Sequence, residues 1–334
     1  MTPDRFQRHL VRTNGVELSY LEAGDGPVVI LAHGFPETSH SWRHQMTYLA
    51  DHGYRALALD LRGYGGSSKP HDVASYSIMH LSGDLVALAE CLEIDNACVV
   101  GHDWGAPVAW HCALFRPDLF VGVVGLSVPY RAQRAHAAPT SIMSASLGGP
   151  EDESFYMVYF QEPGLAEAEF ELDVERTIRC FLYGVTPSVG RSGWQRLVTL
   201  DGRLLTNVQP APSPPPWLTE EDIAHYVRAF SEGGFRGPLN LYRNLDTNWE
   251  LTRAFNNTPI SVPALYLVGE HDMTRRFSQR AESELRVSCA DLRGFHVIRD
   301  AGHWLQQEKP AAVNELLLEF LNTLTAEGRL LRPN

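Results

Sequence analysis

Asp103 stands at the centre of the stretch GHDWGA, directly after the apolar run ACVV. Gly101 and Gly105 flank it with the spacing of a nucleophile elbow, a sharp turn between a strand and a helix. Such a turn needs small residues because it brings backbone segments close together, and it directs the central side chain over the carboxyl edge of a sheet. Taken alone, the pentapeptide also fits a strand–helix turn with an aspartate N-cap, so the rest of the chain has to decide.

A carboxylate in this position does chemistry that a serine hydroxyl does not. An aspartate that attacks a saturated carbon leaves an ester, whose carbonyl water can attack, whereas a serine would leave a stable ether. With an ordinary pKa of about 3.9, the Asp103 carboxyl is ionised at neutral pH without help from a base. A histidine elsewhere in the chain is then free to act in a second, hydrolytic step.

An acid and a histidine follow Asp103 in the order expected for a catalytic triad. Asp272 ends the strand-like run ALYLVGEHD, and His303 lies in DAGHW near the end of the sequence. The order nucleophile, acid, histidine is that of the α/β-hydrolases. Glu270 competes with Asp272 for the role of the acid. His102, next to the nucleophile, is interpreted as a packed structural histidine.

A second turn, HGFPE at residues 33–37, follows the strand-like run VVILA. In the α/β-hydrolase fold, the backbone N–H of the residue after His-Gly and that of the residue after the nucleophile form an oxyanion hole. In this chain those residues are Phe35 and Trp104. Together with Pro36, they are also expected to line the substrate pocket.

The elements around these residues predict an α/β-hydrolase fold, with a mostly parallel sheet flanked by helices. The chain opens with an antiparallel hairpin, LVRT and VELSYLEA joined by an Asn14-Gly15 turn. Apolar strands then alternate with helical stretches as far as VGVVGLSV, which predicts parallel strands covered by helices on both faces. We assign residues 1–130 to the first part of this core.

The alternation stops near residue 130 and resumes near residue 249. Residues 131–248 show little strand signal and predict an inserted helical cap, with helices around 166–183 and 219–231 and the proline-rich loop QPAPSPPPWL. Thr219 followed by Asp222 is typical of a helix N-terminus. Residues 249–334 form the second part of the core and end in the amphipathic helix AAVNELLLEFLNTL.

Composition excludes several classes of partner. The formal net charge of -12 over 334 residues leaves no basic stripe, which argues against binding to nucleic acid or to anionic membranes. No apolar run approaches the roughly 20 residues of a bilayer span, and the first residues do not resemble a secretion signal, so we expect a cytoplasmic protein. The oligomeric state stays open between monomer and homodimer.

Metal and nucleotide motifs are missing from the sequence. The five cysteines are scattered and lack paired CxxC spacing, which indicates neither a disulfide framework nor a zinc site. No HExxH, Walker or Rossmann glycine signature occurs. Asp60 and Arg62, in the glycine-rich stretch DLRGYGGSS, are interpreted as structural.

Five motifs together resemble the epoxide hydrolase family, the aspartate-nucleophile branch of the α/β-hydrolases. They are HGFPE, DLRGYGGSS, GHDWGA, GEHD and DAGHW, and they cover both core segments. The cap adds YFQEPGLAEAE and GFRGPLNLYRN, which resemble the segments in which epoxide hydrolases carry a ring-opening tyrosine. The resemblance assigns these tyrosines to Tyr159 and Tyr242. The G-E-x-D pattern of the same family implies that Asp272, and not Glu270, is the acid.

The resemblance also implies a reaction. The expected partner is a small-molecule epoxide, which water converts to a vicinal diol. Asp103 would attack an epoxide carbon while Tyr159 and Tyr242 donate a proton to the ring oxygen. His303, supported by Asp272, would then activate the water that cleaves the ester. No metal or other cofactor is expected.

Two other functions stay open beside this one. A haloalkane dehalogenase would use the same aspartate, but a halide needs N–H donors, commonly with Asn at the position of Phe35, whereas an epoxide oxygen needs a proton source. A non-catalytic ligand-binding homologue is the other alternative, since a fold does not determine an activity. The intact set of Asp103, Asp272 and His303 argues against it.

Overall fold

The computed structural model of the chain describes residues 6–132, 136–147, 153–184, 199–208, 210, 213–277 and 280–332. The fold divides into two compact units. The first comprises Met1–Ser68, Ile78–Gln133 and Phe255–Asn334, and the second comprises Lys69–Ser77 and Arg134–Ala254. The segment Lys69–Ser77, which the sequence analysis places in the core, therefore groups with the second unit.

A sheet forms the centre of the first unit. Its strands are β1 Gln7–Thr13, β2 Val16–Ala23, β3 Val28–Ala32, β4 Arg55–Asp60, β5 Ala97–His102, β6 Phe120–Leu126, β7 Ile260–Gly269 and β8 Cys289–Ile298. Among the described residues, the order across the sheet is β1-β2-β4-β3-β5-β6-β7-β8. The pairs β1/β2 and β2/β4 are antiparallel and all later pairs are parallel. The predicted fold class is confirmed.

Burial differs between the central strands and the edge strand of the sheet. Strands β3 and β5 are apolar runs that are buried along their whole length, as expected for central parallel strands with helices on both faces. Strand β1 is an edge strand and alternates between exposed and half-buried residues. Asn14 and Gly15 both have positive φ, as the predicted tight hairpin turn requires.

Helices cover the sheet and build the second unit. They are α1 Arg43–Asp51, α2 Ile78–Cys91, α3 Gly105–Phe115, α4 Pro139–Leu147, α5 Tyr156–Tyr159, α6 Leu165–Phe170, α7 Val174–Arg179, α8 Glu220–Gly233, α9 Arg236–Arg243, α10 Leu245–Leu251, α11 Thr274–Phe277, α12 Ala281–Ser288, α13 Leu305–Glu308 and α14 Pro310–Ala326. Short 3-10 segments lie at Ser39–Trp42, Val73–Tyr76 and Arg253–Phe255, and a π-helical turn at Cys180–Gly184 follows α7. Among the described residues, no helix has the length and apolar character needed to cross a membrane.

Helices of the first unit pack against one another and against the sheet. α1 contacts α14, and their apolar faces join strand residues in one cluster that includes Trp42, Met46, Leu317 and Leu321. α2 contacts α3, and α3 packs on β5 and β6. Because α3 follows β5 directly, the turn between them lies at the carboxyl end of a central strand.

The second unit is helical, as predicted for the inserted segment. Its helix α8 begins after Thr219, whose side chain accepts from Asp222 N–H while the Asp222 side chain accepts from Thr219 N–H. The expected helix around 166–183 is instead divided into α6, α7 and the π-helical turn. Residues 209, 211 and 212 of the proline-rich loop lie outside the described residues.

Candidate active site

Asp103 lies at the turn between β5 and α3 in a left-handed backbone conformation, with φ of 49°. The turn is tight enough to exclude side chains on both flanking glycines. A Cβ on Gly101 would lie 2.0 Å from the Gly105 carbonyl oxygen, and a Cβ on Gly105 would lie 2.0 Å from that of Ala32. The N-cap residue of α3 is Trp104, not Asp103. The turn therefore has the geometry of a nucleophile elbow and does not use Asp103 as a helix cap.

His303 lies between two carboxylates. Its Nδ1 is 3.1 Å from Oδ1 and 3.3 Å from Oδ2 of Asp272, and its Nε2 is 3.5 Å from Oδ2 of Asp103. Asp272 is buried, whereas Glu270 is exposed and accepts from the N–H of Asp300. The geometry therefore places Asp272, and not Glu270, against the histidine.

Electrostatics hold this triad in a charged form. Burial disfavours a charged imidazole, but the carboxylates of Asp272 and Asp103 outweigh that effect and raise the pKa of His303 well above its ordinary value. Burial likewise acts to raise the pKa of Asp103, yet hydrogen bonding and charge from His303, with the Phe35 N–H, bring it below 3.8. Asp103 is thus an ionised carboxylate at neutral pH.

The loop after β3 approaches the nucleophile closely. Phe35 N–H donates to Oδ1 of Asp103 at 2.8 Å, and a Cβ on Gly34 would lie 2.4 Å from the Asp103 Cβ. Pro36 follows Phe35 across a cis peptide bond, and both Phe35 and Trp104 are buried. One of the two predicted oxyanion-hole donors therefore points at the carboxylate that would become the ester.

His102 is fully buried and bonded through both ring nitrogens. Its Nε2 donates to the carbonyl oxygen of His303 at 2.8 Å, and its Nδ1 lies 2.9 Å from Oε2 of Glu37. Glu37 also accepts from the side-chain amides of Gln306 and Gln307. These contacts link the elbow to the His303 loop, in agreement with the structural interpretation of His102.

Tyr159, in the second unit, uses its hydroxyl for a structural contact. The hydroxyl donates to Oε2 of Glu169 at 2.9 Å, and the same carboxylate accepts from the N–H groups of Leu204 and Leu205. Burial and the Glu169 carboxylate raise the pKa of the Tyr159 hydroxyl. The Tyr159 hydroxyl is therefore bonded to Glu169, a residue that the sequence analysis did not consider.

Tyr242, in α9, packs beside a different tyrosine. Its ring centroid lies 5.9 Å from that of Tyr156 and 5.0 Å from that of Phe160. The next residue, Arg243, is buried and donates to both carboxylate oxygens of Glu167 at 2.7 and 2.8 Å. This ion pair fixes the end of α9 that carries Tyr242, because a bidentate guanidinium–carboxylate contact is strongly directional.

Comparison with known proteins agrees with this geometry. A family model described as alpha/beta hydrolase fold matches residues 27–158. Epoxide hydrolase A of Mycobacterium tuberculosis is 44% identical over 319 residues, which cover 94% of this chain and 97% of that protein. The chain belongs to the epoxide hydrolase family.

Two further epoxide hydrolases match over nearly their whole length. Epoxide hydrolase 3 of Siraitia grosvenorii is 37% identical over 327 residues, covering 96% of this chain and 99% of that protein. The solved structure of an epoxide hydrolase from an endophytic Streptomyces superposes with a TM-score of 0.93 at 40% identity, covering 97% of each chain. The resemblance drawn from the motifs is confirmed.

Two residues near the candidate sites of this epoxide hydrolase escaped the sequence analysis. Tyr156 lies three residues before Tyr159 on α5, and residues at that spacing share one side of a helix, so the pattern alone does not choose between them. Glu37 is the last residue of HGFPE and lies shortly after a buried strand, a position at which a carboxylate can itself be buried. Glu37 is buried, and a buried carboxylate needs a partner, which here comes from elsewhere in the chain.

Proposed function

We propose that this chain hydrolyses small-molecule epoxides to vicinal diols through a covalent ester on Asp103. The observation that carries the proposal is the setting of the Asp103 carboxylate. Oδ1 accepts from the Phe35 N–H, and Oδ2 faces Nε2 of His303. A carboxylate held between an amide donor and a histidine fits a nucleophile whose ester is later hydrolysed.

In the first step, an oxygen of Asp103 attacks one epoxide carbon. The ring C–O bond breaks, its electron pair goes to the ring oxygen, and a tyrosine hydroxyl supplies the proton that makes this oxygen an alcohol. Tyr242 is one donor in the proposal. Its partner is Tyr159 according to the family motif, while the packing of Tyr156 against Tyr242 favours Tyr156.

In the second step, His303 acts as the base. Alkylation removes the negative charge of Asp103, which is one of the groups that raise the pKa of His303, so the imidazole gives up its proton more readily once the ester has formed. His303 then takes a proton from water, and the hydroxide oxygen attacks the carbonyl carbon of Asp103 while Asp272 orients the ring.

The negative charge of this intermediate develops on the carbonyl oxygen. The N–H groups of Phe35 and Trp104 would receive it, each contributing about 3 kcal/mol to lowering the barrier. The intermediate collapses when its bond to the substrate oxygen breaks, and His303 returns to that oxygen the proton it took from water. The second proton of the water molecule leaves the Asp103 carboxyl group and restores the tyrosine hydroxyl, so the free carboxylate and the diol remain. This scheme uses only side chains and water, so it requires neither metal nor cofactor.

We further propose that residues 131–248 form a cap and that the protein works in the cytoplasm. The helical character of the second unit supports the cap assignment. The five cysteines are all free, and four of them are buried, which is typical of a reducing compartment.

Replacing His303 with glutamine tests the covalent step. Asp103 and its Phe35 N–H donor remain in this variant, but no base remains to activate water, so we expect the ester to accumulate when styrene oxide is added. The mass of the intact protein should rise by one substrate mass, and peptide mapping should place the increase on Asp103. The double variant His303→Gln, Asp103→Asn is the matched control and should stay unmodified.

Two results would contradict the proposal. One is an unmodified His303→Gln protein under conditions in which epoxide binding has been demonstrated. The other is a wild-type Asp103 that gains no heavy oxygen after many turnovers in isotopically labelled water. Release of halide from a bromoalkane at a rate above that of diol formation would instead favour the dehalogenase alternative.

A further inference from the structure

The backbone around His303 is held by side chains from other parts of the first unit. The His303 carbonyl oxygen accepts from Nε2 of His102 at 2.8 Å. The N–H groups on either side of His303 both donate to one carboxylate, that of Glu308 at the end of α13. Gly302 N–H donates to Oε2 at 2.7 Å, and Trp304 N–H donates to Oε1 at 2.9 Å.

The Glu308 carboxylate uses each of its oxygens for a different amide. Hydrogen bonds from N–H groups to a carboxylate are charge-assisted and roughly twice as strong as neutral ones. Because Gly302 and Trp304 flank His303, the backbone shortly before and directly after the histidine is tied to α13. A glutamine cannot replace this arrangement, since its nitrogen would direct a donor at a donor.

His303 needs this support because its ring has two partners in opposite directions. Nδ1 contacts Asp272 at 3.1 Å, and Nε2 faces Asp103 at 3.5 Å, with the attacking water required close to the same nitrogen. His303 lies in a loop between β8 and α13, and loops are more mobile than the elements that they connect. A shift of about 1 Å in a reacting group can slow a step by about 100-fold.

Charged and titratable groups face His303 from four elements. Asp103 faces it from the elbow, Asp272 from the loop after β7, His102 from the end of β5 with ring centroids 4.9 Å apart, and Glu308 from α13. Burial raises the pKa of Glu308, while its two N–H bonds and the charge of His303 oppose this rise. Glu308 therefore acts on His303 through charge as well as through the backbone.

We propose that Glu308 is a positioning residue for the hydrolysis of the ester. Its carboxylate holds the His303 loop so that the imidazole stays between Asp272 and Asp103. The inference rests on the proposed function, because His303 acts as a base only after Asp103 has been esterified. Formation of the ester needs no base, so the first step should not depend on Glu308.

The test compares Glu308→Gln with Glu315→Gln, which loses the same charge from an exposed position on α14. Each protein is mixed rapidly with styrene oxide and quenched, and the growth and decay of the adduct are followed by the mass of the intact protein. For Glu308→Gln we expect ester formation within about twofold of wild type and decay slowed about 10- to 100-fold. Glu315→Gln should match wild type in both steps.

Two more readouts separate positioning from a general loss of stability. Loss of the negative charge beside His303 should lower the pKa of the imidazole, so the rising limb of the decay rate against pH should move to lower pH in Glu308→Gln. Glu308→Asp keeps a carboxylate and should recover part of the decay rate. It also provides the measurement if the glutamine variant does not fold.

Decay at the wild-type rate, or equal slowing of both steps, would overturn the role of Glu308. Failure of the proposed function looks different. In that case even the His303→Gln protein would form no adduct, whatever residue occupies position 308.

Discussion

At the scale of single residues, the choice between two tyrosines shows how local contacts determine a chemical role. A hydroxyl can protonate a ring oxygen only if its proton is available to the substrate. The hydroxyl of Tyr159 donates to Glu169, whereas the ring of Tyr156 packs against that of Tyr242. We therefore favour Tyr156 as the partner of Tyr242, while Tyr159 stays a prediction from the motif.

Phenylalanine substitutions distinguish the two tyrosines. We expect Tyr156→Phe and Tyr242→Phe each to slow ester formation, and together to slow it by about 100-fold or more, because general acid catalysis of the ring opening is lost. Tyr159→Phe should have little effect on this step, although loss of the bond to Glu169 should reduce thermal stability. Rapid-quench mass measurement of the Asp103 ester gives the rates.

The opposite order of effects on ester formation would support Tyr159, the assignment made from the motif. If Tyr159→Phe slows ester formation as strongly as Tyr242→Phe while Tyr156→Phe does not, Tyr159 is the second donor. Wild-type rates in the Tyr156, Tyr242 double variant would remove this pair from the mechanism. Tyr183→Phe, on the π-helical turn of the same unit, controls for loss of a buried hydroxyl.

At the scale of elements, the elbow works because β5 and α3 meet with almost no space between them. The atoms that would clash with a side chain on Gly105 belong to the backbone of Ala32 and His33, at 2.0 to 2.7 Å. Backbone atoms of a central strand cannot move aside as a flexible side chain can. The position of Asp103 is therefore set by the packing of a strand, a turn and a helix.

Gly105→Ala tests this dependence. We expect a loss of unfolding free energy of about 1–3 kcal/mol from overpacking, together with slower ester formation because the Asp103 carboxylate is displaced from the Phe35 N–H. Gly233→Ala is the control, since the atoms nearest to its new Cβ belong to the flexible side chain of Lys69. Urea unfolding and the rate of ester formation provide the two measurements.

Unchanged stability and unchanged ester formation in Gly105→Ala would show that the elbow has more room than its distances indicate. A stable variant with slow ester formation would still support the positional argument. In that outcome the strain would have been relieved by movement of the turn itself.

At the scale of the whole molecule, Asp60 connects parts of the first unit that are distant in sequence. Its fully buried carboxylate accepts from the N–H groups of Ser39 and Gly66 and pairs with Arg8 of β1 at 2.9 Å. Burial acts to raise its pKa, but the Gly66 N–H, His33, the Ser39 N–H and Arg8 lower it below 3.8. The structural interpretation of Asp60 agrees with these contacts.

Asp60→Asn should lower the unfolding free energy by about 2 kcal/mol at pH 7, since hydrogen bonds to a buried charge are lost. A pKa below the unfolded value means that ionised Asp60 stabilises the fold fully above pH 3.8 and loses this effect as the pH falls through the folded pKa. The difference in unfolding free energy between the wild type and Asp60→Asn should therefore become smaller only at acidic pH. Urea unfolding from pH 7 to pH 3 measures it.

Asp95→Asn, at an exposed position before β5, is the control and should not change stability by more than about 0.5 kcal/mol. A stability difference for Asp60→Asn that stays constant down to pH 3 would contradict the charge argument. In that case the Asp60 side chain would stabilise the fold through its shape and not through its charge.

The features that the sequence by itself determined depend on residues close together in the chain. The Asn14-Gly15 hairpin, the capping of α8 by Thr219 and the elbow around Asp103 are each encoded within a few residues, because dihedral preferences and short-range hydrogen bonds act locally. The alternation of apolar strands and helices likewise determined the fold class.

Other features were decided only by the tertiary structure. These are the pairing of Tyr156 with Tyr242, the contact of Glu308 with the amides around His303, and the grouping of Lys69–Ser77 with the second unit. Each depends on which of several equivalent side chains or segments meets a partner that is distant in sequence or lies on another element. Spacing along a chain does not determine that, because the meeting point is set by the packing of whole elements.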